Sequence, residues 1–98
     1  MSTESAIEYA LVSFCNQQGI KCHKLVLASK SGWPDRTLLY KGRAMFIEVK
    51  RPGERPTSLQ DYMLAMLSNQ GFRAIWSDNL TDMKLNVIQW KREVDDAS

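Results

Sequence analysis

Residues 32–50 read GWPDRTLLYKGRAMFIEVK, and the reading of this stretch decides the fold. Residues 36–40 and 44–50 are two runs rich in β-branched, aromatic and aliphatic side chains, separated by Lys41-Gly42, which reads as a hairpin turn. If Lys41-Gly42 is a two-residue loop, Tyr40 faces Arg43, and the register carried back along the hairpin sets Asp35 opposite Glu48. A four-residue loop with the same centre gives the same register; a three-residue loop breaks it. Alternation along residues 44–50 puts Met45, Ile47 and Val49 on one face and Phe46, Glu48 and Lys50 on the other.

That register has a chemical consequence. Directly opposed side chains have Cβ atoms about 4.5–5.5 Å apart. Two carboxylates at such a distance repel, so one takes up a proton unless a cation sits between them. Hard carboxylate oxygens suit Mg²⁺ or Mn²⁺ better than zinc. Lys50 lies about 6.6 Å along the strand from Glu48 on the same face. A cation-bound carboxylate pair flanked by a lysine is equipment for phosphodiester hydrolysis, with the lysine orienting water or stabilising developing charge. A Glu-x-Lys tripeptide alone would describe an ordinary amphipathic strand; Asp35 in register is what raises it to a candidate site.

Working outward, residues 5–18 form a helix, with Ile7, Leu11, Phe14 and Cys15 at helical spacing and Gly19 as its stop. Residues 21–28 read as a strand, followed by a loop through Pro34. Residues 51–56 hold two prolines and a glycine and form a loop. A second helix runs from Thr57 to about Asn69, with Leu59, Met63, Met66 and Leu67 inward and Gly71 ending it. Residues 72–76 are a fourth strand. Leu80, Met83, Val87, Trp90 and Val94 recur at intervals of three and four, which predicts a C-terminal helix. The order is αβββαβα, an α/β plan expected to be one domain over residues 1–98, with a helical crossover that makes the third and fourth strands parallel.

Composition sets the bounds. The 98-residue chain has 44% hydrophobic and 24% charged residues and a net charge of +2, ordinary globular values that exclude disorder and coiled coil. Its charge is uneven. Residues 20–56 hold nine basic side chains (Lys21, Lys24, Lys30, Arg36, Lys41, Arg43, Lys50, Arg51 and Arg55) against Asp35, Glu48 and Glu54, between mildly acidic ends. A basic middle of this kind suits a phosphate-bearing partner. Cys15 and Cys22 are too few for a disulfide scaffold and too poorly spaced for zinc. With neither a signal-peptide core nor a long apolar run, the chain is expected to be cytoplasmic, with no membrane partner. Gly-rich phosphate loops, nucleophile elbows and dinucleotide fingerprints are absent.

Gly32-Trp33-Pro34-Asp35, thirteen positions before Glu48-Val49-Lys50, resembles the PD-(D/E)XK nuclease motif, and the details resemble its VRR-NUC branch in the small stand-alone form of phages and bacteria. The similarity runs from Ser5-Ala6-Ile7-Glu8 through Lys24 and the Gly-x-Pro-Asp loop to Gln60. It implies a restriction-endonuclease-like fold and a Mg²⁺- or Mn²⁺-dependent DNA endonuclease. Asp35, Glu48, the Val49 carbonyl and Glu8 would hold the metal, Lys50 would be the catalytic lysine, and Gln60 would support the site. Cleavage by the superfamily pattern would leave a 5′-phosphate. So short a chain suggests a homodimer, and the stand-alone relatives favour four-way (Holliday) junctions as substrate. Linear or flap DNA, or DNA binding without cleavage, are the alternatives.

Phosphate contacts are expected from Lys24, Lys30, Arg36, Arg51 and Arg55, and Trp33 could stack on a base or close the core beneath its loop. Ser5-x-x-Glu8 and Thr57-x-x-Gln60 also read as capping boxes, in which the Glu or Gln returns to the cap amide. Trp76 and Trp90 read as packing residues. His23 alternates with Lys24 and is expected to face away from it, without a role.

Overall fold

The computed structural model describes residues 3–25 and 31–97. The elements are α1 (Glu4–Gln17), β1 (Lys21–His23), β2 (Arg36–Tyr40), β3 (Arg43–Val49), α2 (Ser58–Asn69), β4 (Arg73–Ser77) and α3 (Leu80–Ala97). Strand order in the sheet is β1-β2-β3-β4, antiparallel except for the parallel β3–β4 pair joined through α2. The predicted order αβββαβα and the parallel crossover are both present. β1 is shorter than the strand expected over residues 21–28, of which residues 26–28 lie outside the described residues.

Local chemistry accounts for the boundaries. Thr3 caps α1, its hydroxyl accepting from the Ala6 amide at 3.1 Å. Ser5 therefore sits inside the helix, and the Ser5/Glu8 capping box does not form. Both α1 and α2 stop at a left-handed glycine. Beyond α1, the amides of Gly19 and Ile20 donate to Asn16 and Cys15; beyond α2, those of Gly71 and Phe72 donate to Ser68 and Leu67. These paired bonds satisfy carbonyls that the helix end leaves open. In the hairpin, Lys41 (φ 48°) and Gly42 (φ 77°) are both left-handed, as a two-residue type I′ turn requires. Tyr40 accordingly pairs with Arg43, and the ladder runs back to Arg36 opposite Ile47.

The sheet has two unlike faces. One carries Leu38, Met45, Ile47 and Val49, all fully buried against Ile7, Leu11 and Cys15 of α1 and Met83, Val87 and Trp90 of α3. The other carries Thr37, Phe46 and Glu48, with α2 packed over the β4 side. Phe46 there is the middle of an edge-to-face row, 5.6 Å from Trp33 and 5.4 Å from Phe72. Trp90 packs on Tyr40 in the closed layer, as expected of a core residue. Among the described residues no helix is long and apolar enough to cross a membrane.

Candidate active site

The loop before β2 is pressed against the first turn of α2. Gly32 (φ 81°) sits so close that a Cβ there would meet Leu59 Cγ at 2.7 Å and the Leu59 backbone at 3.2 Å. Pro34 is fully buried. Held from both sides, the loop delivers Asp35 one residue before β2. Its Oδ2 accepts the Val49 amide at 2.9 Å, so the carboxylate extends the hairpin beyond its last backbone pair.

Glu48 faces the same end of the sheet and is only 3% exposed. Its Oε2 accepts Gln60 Nε2 at 3.0 Å and lies 3.4 Å from Lys50 Nζ. Its Oε1 is buried without any hydrogen-bond partner. Burial, then the neighbouring Asp35 carboxylate, push Glu48 up to about 7, against the pull of Lys50. The pair therefore repels, as the hairpin register predicts. Lys50 is nearly buried, and its amide donates to Ser77 O at 2.9 Å, continuing the β3–β4 ladder past the strand end.

Gln60 performs two tasks at once. Its Oε1 accepts the Thr57 amide at 2.8 Å while Thr57 Oγ1 accepts the Gln60 amide, a complete capping box. The same side chain's Nε2 is free to reach Glu48, so the start of α2 is tied to the carboxylate. Capping and site support are not alternatives here.

The remaining sequence-predicted residues are placed differently. Glu8 is buried, but its Oε1 accepts Arg36 Nε at 2.8 Å, across the α1 face of the sheet. Arg36 spends its guanidinium on that pair. The acid of α1 that senses the site is Glu4, one turn earlier. Burial and then Asp35 raise its pKa, with Lys50 pulling it back. Among the described residues no three acidic, His or Cys side chains converge closely enough to hold an ion unaided. Arg51 pairs with Glu54 on the exposed loop after Lys50, the Gly53 amide donates to Asp78 Oδ2 at 2.9 Å, and Arg55 lies 5.9 Å from the Trp76 ring centroid. Trp33 closes the aromatic row, its Nε1 buried and unpartnered. Lys24 is exposed just past β1, and Lys30 lies outside the described residues.

A four-stranded mixed sheet flanked by helices, with a buried Glu48 between half-buried Asp35 and Lys50 at one strand end, defines a restriction-endonuclease-like fold. Two solved structures share it. One described as "VRR_NUC domain" has TM-score 0.78 and 19% identity over 88% of this chain and 96% of its own. One described as "VRR_NUC domain protein" has TM-score 0.75 and 21% identity over 93% and 88%. No family model matches the sequence. A curated relative, "Putative nuclease p44" of Acyrthosiphon pisum secondary endosymbiont phage 1, is 38% identical over 77 residues, covering 78% of this chain and 83% of its own length. The chain belongs to the family of this phage nuclease and has the fold of the VRR-NUC domains.

Proposed function

We propose that this nuclease is a divalent-metal-dependent endodeoxyribonuclease that cuts branched DNA, four-way junctions foremost, as a homodimer. The observation that carries the metal is Glu48. One of its oxygens is saturated by Gln60 and Lys50 and the other is bare, buried and next to a second carboxylate. A buried carboxylate oxygen without a donor is costly unless a cation is its partner. Asp35 and Glu48 would hold the ion, with the Val49 carbonyl beside them. Two carboxylates are sufficient for Mg²⁺ or Mn²⁺, which keep several waters and take the rest of their shell from a phosphate. When bound, such an ion polarises the phosphoryl group and lowers the pKa of water.

The chain's own residues do the rest. Gln60 fixes the Glu48 carboxylate so that Oε1 is the oxygen presented. Lys50 Nζ, within 3.4 Å of Glu48, supplies a positive charge where negative charge develops on the phosphoryl oxygens. Water adds to phosphorus, the 3′-oxygen leaves and takes a proton, and the products are a 3′-hydroxyl and a 5′-phosphate. The dimer rests on scale. One chain carries one site, and symmetric incision of a junction needs two.

The test is incubation of the purified protein with junction, flap and linear DNA plus Mn²⁺, with its mass measured by sedimentation equilibrium. Paired nicks in the junction by a dimer are expected. Equal cleavage by wild type and by the Asp35→Ala, Lys50→Ala double variant would overturn the assignment; preference for linear or flap DNA would overturn the junction.

A further inference from the structure

The face of the sheet that carries Asp35 and Glu48 is covered at Thr37, Phe46 and Glu48 but open at its β1 edge. α2 packs over β4, two strands away from β2. In the β1–β2 ladder, Cys22 pairs with Leu38 and both belong to the closed layer against α1 and α3. Alternation therefore sends their neighbours to the other side. Lys21, paired with Leu39, and His23, paired with Thr37, lie on the face of the two carboxylates. This reverses the expectation that His23 points away from the functional side.

This edge has a consistent chemistry. Lys21 and His23 are exposed, and among the described residues neither makes an ion pair or a side-chain hydrogen bond. Leu39, beside Lys21 on β2, is 45% exposed. No acidic residue occurs in β1 or β2. Two exposed cationic or hydrogen-bond-donating side chains on a strip without carboxylates are complementary to a polyanion. The strip also points toward the site, running beside the buried Thr37. His23 is level with Thr37, about 6.6 Å along the strand from Asp35, and Lys21 is level with Leu39, about 13 Å away.

Resting on the nuclease reading above, we propose that the exposed strip formed by β1 and Leu39 of β2 is the track along which the DNA backbone reaches the carboxylates. Lys21 and His23 are its phosphate-binding side chains, Lys21 as a charge and His23 as a ring N–H donor. Leu39, directly opposite Lys21, is an apolar flank of the track. The track complements the loop bearing Arg51 and Arg55, which follows Lys50 at the β3 end of the site.

The test reads binding apart from cleavage. Fluorescence anisotropy with labelled duplex DNA in EDTA, over a series of KCl concentrations, compares wild type with Lys21→Glu, Lys21→Gln/His23→Gln and the control Arg92→Gln. Arg92 is exposed on α3, in the opposite layer. The expected result is weaker binding by the Lys21 and His23 variants, with the slope of log K against log salt shallower by about one for each phosphate no longer neutralised. Arg92→Gln is expected to keep the wild-type slope. An equal loss in Arg92→Gln, unchanged binding by both track variants, or no DNA binding by wild type would overturn the track. Both track substitutions are at exposed positions, and matching far-UV circular dichroism excludes misfolding. Wild-type binding that the variants weaken, without cleavage under Mg²⁺ or Mn²⁺, supports the track and sinks the nuclease mechanism. Normal cleavage by wild type with unaltered variant binding does the reverse.

Discussion

The two faces of the sheet are built by opposite rules. The face toward α1 and α3 is closed and, apart from the Glu8–Arg36 pair, apolar, with Leu38, Met45, Ile47 and Val49 fully buried. The face toward α2 holds every buried side-chain polar atom left without a partner among the described residues: Trp33 Nε1, Thr37 Oγ1 and Glu48 Oε1. One strand, β3, supplies both faces from alternate residues, so seven residues carry a stabilising core and a destabilised site back to back. The closed face provides the rigidity that keeps two repelling carboxylates in register. The lesson is that unsatisfied groups are tolerated where a separate core supports them.

Substitutions on the two faces should break this division in opposite directions. On the closed face, Ile47→Ala should cost about 2–5 kcal/mol in urea unfolding. A cost below about 1 kcal/mol would show that this layer is not the stabilising one. On the other face, Lys50→Ala should lower turnover about 10²–10³-fold while leaving the urea midpoint near wild type, measured on the same preparations.

The pH dependence sharpens the comparison further. Glu48 in the fold titrates at about 7, above its ordinary 4.5, so the native state holds this proton more tightly than the unfolded chain. Its contribution to stability is complete below about pH 4.5 and is lost as pH rises through about 7. In metal-free buffer the Tm should fall between about pH 5 and pH 8, and Glu48→Gln should flatten that fall and raise the Tm at the upper end. A wild-type Tm that rises over this range would contradict the repulsion. Gln60 separates its two tasks at a smaller scale. Gln60→Ala should lose the return bond to the Thr57 amide, about 0.5–1.5 kcal/mol, together with activity. Gln60→Glu should retain the cap yet lower activity, because a third carboxylate replaces the donor to Glu48. Smallest of all, Thr37→Val should be neutral or slightly stabilising by thermal melt, since it removes a hydroxyl that has no partner.

Asp35, Glu48 and Lys50 were legible in the sequence because a two-residue turn converts directly into a register, and alternation then assigns faces. Gln60 was legible as a cap and, through family resemblance, as a site residue; only the structure places both bonds on one side chain. Glu8 shows the limit. A helix residue's target depends on how the helix is rotated over the sheet, and Arg36, alternating onto the α1 face, captures Glu8, while Glu4 is the α1 acid whose pKa Asp35 raises. The orientation of His23 was beyond the sequence for a related reason. A long connection, not a tight turn, separates β1 from β2, so no loop arithmetic sets their relative parity.

From its amino acids alone this chain determined the order of elements, the hairpin register and the Asp-Glu-Lys constellation, since each follows from interactions a few residues apart. Tertiary structure decided that Glu8 turns to Arg36, that the sheet face of the carboxylates is open only at its β1 edge, and that one glutamine joins a helix cap to a carboxylate. Those outcomes depend on how whole elements pack, and packing is settled by the summed burial of residues distant in the chain.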